Sequence, residues 1–205
     1  MRQTVNKLET IFTDICNSSY PYEWDENHIS FLLMKQLREL FSRKTIHFQD
    51  WSKIVDWRSF KNRGKQETNY GDIALLVNIQ FSSGETLKGV AHIEAKRDFN
   101  SGNFESVSLS QLDHILSRAP YSHLLLYTHT VQQLQQKFPD ESTWKSHMWI
   151  SPIYTAGQLL KQTTIRDNWK VLRTSFPFTM FLTSRIFGAS TWTSEKKFIE
   201  ISKVD

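Results

Sequence analysis

The fold is decided by residues 72–96, which read DIALLVNIQFSSGETLKGVAHIEAK. Residues 72–81 and 88–99 are rich in β-branched and apolar side chains, and Ser82, Ser83 and Gly84 between them have turn chemistry. This pattern predicts an antiparallel hairpin whose turn is centred near Ser83. Asp72 and Glu94 lie equally far from that centre in the chain. Directly opposed residues of a hairpin have Cβ atoms about 4.5–5.5 Å apart on one face, so we expect the two carboxylates to be neighbours.

The same hairpin predicts a cation-dependent site. Because side chains alternate along a strand, His92, Glu94 and Lys96 share one face. Two close carboxylates repel each other unless a cation compensates, and an oxygen-rich ligand set favours Mg²⁺ or Mn²⁺ over zinc. Phosphodiester hydrolysis needs such a metal and a positive group near the attacked phosphate. Asp72, Glu94 and Lys96 supply these parts. An ordinary surface ion pair would explain Glu94 and Lys96 equally well if they stood alone.

Outward from the hairpin, periodicity predicts further helices and strands. The expected helices are residues 5–15, a strong helix over 25–41 capped by Asp25 or Asn27, and residues 108–119, 131–137, 156–162 and 176–188. Strands are expected near 122–127, where three leucines indicate a buried position, and near 148–153. Residues 45–60 are interpreted as an irregular basic strand region and 61–69 as a polar loop. The class is α/β, with a mixed central sheet flanked by helices.

Composition limits the functional classes. The 205 residues are 39% hydrophobic and 22% charged, which predicts a single ordered domain over 1–205, with a core at about 22–130 and a C-terminal elaboration at about 131–205. The sole cysteine, Cys16, permits no internal disulfide, so we expect a cytoplasmic protein. No export signal or apolar run of about 20 residues is found, and no membrane partner is expected.

Charge permits nucleic-acid binding without requiring it. The net charge is +4 and the pI about 9.1, with basic side chains concentrated over residues 43–65 and aromatic ones between them. This segment is either a phosphate-contacting surface or an ordinary solvated one. Trp51 and Trp57 are either base-stacking groups or, more simply, core and anchoring residues.

A resemblance to a known family adds to these interpretations. Tyr70-Gly71-Asp72, followed at the end of the next apolar strand by Ile93-Glu94-Ala95-Lys96, resembles the signature of the PD-(D/E)xK nuclease superfamily, which has the restriction-endonuclease-like fold. Gly71 stands where the signature has proline. The resemblance implies an αβββαβ core, and the predicted element order over residues 25–127 fits it.

The resemblance also implies roles for particular residues. It offers Asp72, Glu94 and the carbonyl of Ala95 as metal ligands, and Lys96 as the group that assists the attacking water. An acidic residue on the preceding helix often completes such sites; Glu26 is the first candidate and Glu23 the second. Gln111, in the first turn of the helix after the motif, matches a glutamine that many of these nucleases carry.

The function expected from the sequence is therefore a Mg²⁺- or Mn²⁺-dependent endonuclease acting on DNA. By analogy with the superfamily, it would work with a second copy of itself or with another subunit of a bacterial defence or restriction system. Two alternatives stay open. One is a module of the same fold that binds nucleic acid or protein without cutting, and the other is a nuclease for RNA or branched DNA.

Overall fold

A computed structural model describes residues 2–48, 51–81, 84–99, 104–105, 107–129, 146–161 and 168–183. These residues form a mixed α/β fold with an open seven-stranded sheet and helices on both of its faces. Strand order along the sheet is the same as strand order along the chain. All neighbouring strands are antiparallel except the fourth and fifth, which are parallel. The mixed sheet expected from the sequence is therefore confirmed.

The elements follow one another in a simple order. The helices are α1 (Arg2–Ser19), α2 (Glu26–Phe41), α3 (Lys65–Tyr70), α4 (Leu109–Arg118), α5 (Ile153–Lys161), α6 (Asn168–Arg173) and α7 (Phe178–Phe181). The strands are β1 (Lys44–Phe48), β2 (Trp51–Lys61), β3 (Ile73–Phe81), β4 (Thr86–Arg97), β5 (His123–Tyr127), β6 (Met148–Pro152) and β7 (Phe176–Pro177). Among the described residues, no helix is long and apolar enough to cross a membrane.

The β3–β4 hairpin has the register that the sequence predicts. Ile73 pairs with Ile93 and Gln80 with Thr86, so the pairing is symmetrical about position 83. Asp72, one residue before β3, therefore stands level with Glu94 on β4. A parallel neighbour needs a crossover connection, and α4 supplies it between β4 and β5.

Two apolar clusters hold the helices against the sheet. One face of the sheet packs on α1, α2 and α7, through buried residues such as Phe12, Leu33 and Phe178. The other packs on α4, α5 and α6, with Leu112 and Ile153 among its buried residues. Strand β5 contributes to both clusters, since alternate leucines point to opposite faces. The buried strand predicted at residues 122–127 is thus confirmed.

Three predictions need correction. Residues 45–48 and 51–60 are not irregular: they lie in β1 and β2, which pair as regular antiparallel strands. The supposed polar loop at 61–69 contains α3, a helix too short to give a periodic signal. The core helix expected at 176–188 starts later, because Phe176 and Pro177 extend the sheet by pairing with β6, and α7 begins at Phe178. Its continuation over 184–188 and the helix expected at 131–137 lie outside the described residues.

Trp57 settles one of the open alternatives. Its side chain is fully buried and packs on Phe41 of α2 with ring centroids 4.4 Å apart, so it is a core residue. The side chain of Trp51 is outside the described part of the chain.

Candidate functional site

The site lies where β3 begins and β4 ends. Asp72 and Glu94 are 3% and 1% exposed, so neither is a solvated surface carboxylate. The Ala95 amide donates a hydrogen bond to Asp72 Oδ2 at 2.8 Å, which fixes the Asp72 side chain against β4. The surface ion pair considered for Glu94 and Lys96 is excluded by this burial.

Gly71 allows this close approach of the two strands. Its φ is +84°, and a Cβ atom there would lie 2.8 Å from the Ile93 carbonyl oxygen and 2.9 Å from the Glu94 amide nitrogen. Proline, with φ near −65°, cannot adopt this backbone conformation. The glycine at the signature's proline position is therefore required by the local geometry.

Glu26 is brought to the site by the start of α2. The Asp25 side chain caps this helix by accepting hydrogen bonds from the amides of Asn27 and His28. Trp24 Nε1 donates to the Asp98 carbonyl oxygen at 2.6 Å and so ties the beginning of α2 to the end of β4. The predicted helix cap is confirmed, and it places Glu26 beside Lys96.

Lys96 joins the carboxylates. Its Nζ lies 2.6 Å from Glu94 Oε1 and 3.3 Å from Glu26 Oε2. The ammonium therefore links residues that are 68 positions apart in the chain, on different elements. This contact brings the predicted helix carboxylate and the predicted lysine into one cluster.

Gln111 reaches the cluster from the opposite side of the sheet. Ser108 caps α4 by accepting a hydrogen bond from the Gln111 amide, which sets Gln111 in the first turn. The side-chain Nε2 donates to Glu94 Oε1 at 2.8 Å. Glu94 Oε1 thus contacts both Lys96 and Gln111, and the structure brings together all five predicted site side chains.

Burial and mutual repulsion perturb the acidic groups. Burial, followed by the negative charge of Asp72, raises the pKa of Glu94 to about 7, although Lys96 acts in the opposite direction. The same two effects raise the pKa of Glu26 to about 8. Burial lowers the pKa of Lys96, but Glu94 and Glu26 together raise it more, so the pKa lies above its ordinary value and the amine is an ammonium at neutral pH.

Lys61 is a site residue that was not predicted. Its Nζ lies 3.4 Å from Asp72 Oδ1. The neighbouring Asn62 donates through Nδ2 to the Gly71 carbonyl oxygen at 2.8 Å and supports the same turn. Lys61 pairs with Ile73, the residue after Asp72. The sequence would have indicated this pairing only if β2 and its connection to β3 had been predicted.

Two other candidates stand apart from the cluster. Glu23, the second choice for the helix carboxylate, is mostly exposed and pairs with His28 at 3.2 Å. His92 is on the expected face, but it stacks on Tyr70 with ring centroids 4.8 Å apart. Burial lowers the pKa of His92, which favours the neutral imidazole.

The donor set fits a hard divalent cation. Glu94 Oε2 is buried and makes no hydrogen bond, so one carboxylate oxygen lacks a protein partner. Buried carboxylates that raise each other's pKa are stabilised by a bound cation. Among the described residues, no three Asp, Glu, His or Cys side chains are arranged so that they could together hold a metal ion. Here the Lys96 ammonium contacts Glu94 and Glu26 instead.

Comparison with known proteins adds no assignment: the chain matches no family model, no curated protein and no solved structure.

Proposed function

We propose that this chain is a metal-dependent endonuclease that hydrolyses DNA phosphodiester bonds. The observation that carries the proposal is the convergence of Glu26, Asp72, Glu94, Lys96 and Gln111 on one point from α2, β4, α4 and the residue before β3. A buried acidic cluster costs folding free energy, and structural stability gives no reason to build one. A catalytic role for the cluster would give such a reason.

The order of the elements supports the same assignment. The order α2, β2, β3, β4, α4, β5 follows the αβββαβ order that the sequence resemblance implies. We therefore propose a restriction-endonuclease-like core, to which α1, β1, α3 and the elements after β5 are additions.

Each residue has a proposed role in hydrolysis. Asp72, Glu94 and Glu26, with the Ala95 carbonyl, would hold Mg²⁺ or Mn²⁺, which would polarise the phosphate and lower the pKa of bound water. Lys96, as an ammonium, would stabilise negative charge that develops on the phosphate and help to orient the attacking water. Gln111 would hold the Glu94 carboxylate in place.

Plasmid cleavage tests the proposal. Wild-type protein should cut DNA with Mg²⁺ or Mn²⁺ and not with EDTA, and Asp72→Asn and Lys96→Ala should each lose at least about 100-fold in rate. Asp113 and Lys161 offer a matched control, since they form an exposed carboxylate–lysine pair at 2.8 Å away from the cluster. Asp113→Asn and Lys161→Ala should cut like wild type.

Other outcomes of that assay favour the alternatives. Binding of intact DNA without cleavage under any metal would support a non-cutting module. Faster cleavage of RNA or of branched DNA than of plasmid DNA would change the proposed substrate class and leave the proposed chemistry unchanged. Cleavage that persists in Asp72→Asn would show that the site is wrongly assigned.

The proposed setting is a cytoplasmic defence or restriction system. A second copy of the chain or another subunit would select the target there. Sedimentation of the purified chain with and without DNA tests whether it acts as a dimer.

A further inference from the structure

On the sheet face that carries the candidate site, the described helices cover the half near β5 and β6, whereas over β2, β3 and β4 only α3 lies near the site, where Tyr70 stacks on His92. Helices α4, α5 and α6 share their apolar cluster with β5 and β6, and no described residue of β2, β3 or β4 belongs to it. Phe60 and Ile54 of β2 are 49% and 43% exposed on the half over these three strands, and Arg58 between them is exposed as well. We call this half, formed by the outward residues of β2, β3 and β4, the open strand face.

The side chains of the open strand face form rows across the strands. Phe60, Ala74 and His92 are directly paired and make one row. The next row is Arg58, Leu76 and Val90, and after it come Asp56, Asn78 and Lys88. Successive rows on one face are about 7 Å apart.

The first row directly adjoins the carboxylates. Asp72 and Glu94 are two residues from Ala74 and His92 along their strands, so they form the next row on the same face. Lys61, which follows Phe60 in the chain, contacts Asp72 at 3.4 Å. A ligand that contacts Phe60 would therefore lie one row from Asp72.

The charge of the face suits a polyanion. Arg58 and Lys88 are exposed in its rows against the single carboxylate of Asp56. An open depression of about 460 Å³ at the sheet edge is lined by three arginines and two carboxylates, namely Arg38, Arg43, Arg58, Glu39 and Asp56. Phosphate groups bound here would release counterions, which is the main source of affinity for nucleic acids.

Phe60 adds a group that can contact bases. A half-exposed phenylalanine beside an alanine and a leucine offers a ring for base stacking, which contributes about 1–3 kcal/mol per base. His92, in the same row, is covered by Tyr70 of α3, whose ring stacks on it with centroids 4.8 Å apart, so Phe60 is the exposed ring of this row. Bases in a duplex stack on each other and hide their faces, whereas unpaired bases can stack on a protein ring.

From these observations we infer that the open strand face binds a nucleic-acid strand with unpaired bases and directs it to the candidate site. Phe60 stacks on a base, and Arg58 and Lys88 contact phosphates. The inference rests on the proposed nuclease function for its choice of ligand, but its test requires no cleavage. It narrows the substrate to single-stranded regions, such as flaps, gaps, loops or frayed ends.

Fluorescence anisotropy in EDTA tests the inference, with labelled oligothymidylate, oligouridylate and a DNA duplex as probes. Phe60→Ala should weaken binding of the single strands by about 5- to 100-fold and leave duplex affinity unchanged. Phe60→Trp, which keeps an aromatic ring, should retain the affinity. Phe31→Ala is the matched control, because Phe31 is 54% exposed but lies on α2, on the other side of the sheet. The two single strands show whether DNA or RNA is preferred.

Salt dependence tests the phosphate contacts separately. Arg58→Ala should reduce the slope of log affinity against log salt for single strands by about 0.7, the value for one lost phosphate contact. Arg118→Ala, which removes an exposed arginine from the last turn of α4, should leave the slope unchanged.

Three results would overturn the inference. The first is that Phe60→Ala binds single strands as tightly as wild type, and the second is that it loses single-strand and duplex affinity equally. The third is that Phe60→Ala changes the sedimentation of the protein while its nucleic-acid affinity stays the same, which would indicate a protein interface. Single-strand binding through Phe60 with no cleavage of any substrate would leave the inference standing and refute the proposed nuclease. Metal-dependent cleavage with a Phe60→Ala variant that binds and cuts single strands like wild type would do the reverse.

Discussion

Replacing Glu94 by glutamine should make the protein more stable at high pH and leave its stability unchanged at low pH. Glu94 is almost fully buried, and burial with the charge of Asp72 raises its pKa from 4.5 to about 7. Since one pKa unit corresponds to about 1.4 kcal/mol, ionisation of Glu94 costs the folded state about 3 kcal/mol. A raised pKa means that the folded state binds the proton more tightly than the unfolded state. The wild type therefore keeps its full stability below pH 4.5 and loses about 3 kcal/mol as the pH rises through 7.

Glutamine resembles the protonated carboxyl group at every pH. It can still accept the hydrogen bond from Gln111. The free energy of unfolding of Glu94→Gln, measured by urea titration in EDTA, should match that of the wild type at pH 4.5. By pH 8.5 it should exceed it by up to about 3 kcal/mol. This value already includes the attraction of Lys96, which acts to lower the pKa of Glu94.

Asp113→Asn is the control for this experiment. It removes a carboxylate that also pairs with a lysine, but at an exposed position, so it should change stability by less than about 1 kcal/mol at either pH. A Glu94→Gln variant that is less stable than wild type at pH 8.5 would refute the reasoning. It would show that the ion pair outweighs the cost of burying the charge.

Three further predictions follow from the same geometry. Mg²⁺ or Mn²⁺ should raise the melting temperature more at pH 8.5 than at pH 5.5, because binding requires ionised Glu94 and Glu26, whose pKa values are about 7 and 8. Equal shifts of the melting temperature at both pH values would argue against this ligand set. So would a shift in Glu94→Gln as large as that of the wild type. Gly71→Ala should lower the free energy of unfolding by more than about 3 kcal/mol, because its Cβ would meet the backbone of β4. Gly64→Ala, with a positive φ but open space, should cost only about 1 kcal/mol, and similar losses in the two urea titrations would contradict the account. Gln111→Ala should weaken metal affinity and plasmid cleavage by about 10- to 100-fold, whereas Gln158→Ala on α5 should leave both at the wild-type level.

The sequence by itself determined those features that depend on neighbours in the chain. Strand alternation and turn chemistry determine the β3–β4 register, and with it the opposition of Asp72 and Glu94. Helix periodicity and capping determine α2 and α4. These are short-range effects, which act within a turn of helix or across a tight hairpin.

Tertiary structure alone decided how distant elements meet. The docking of α2 on the sheet brings Glu26 to Lys96, and the packing of α4 aims Gln111 at Glu94. For both residues the resemblance supplied the candidate, but no local pattern supplied the contact. Lys61 had no such guide, since α3 separates β2 from β3 and conceals the register that places Lys61 beside Asp72.

Burial also had to be decided by the fold. Trp57 and Phe60 lie three residues apart on one strand, in the same basic and aromatic segment. Trp57 points toward α2 and is buried, whereas Phe60 points to the open strand face and is half exposed. Alternation puts them on opposite faces, but only the arrangement of helices decides which face is covered. The sequence determines a periodic pattern, and packing of elements far apart in the chain assigns that pattern its inside and its outside.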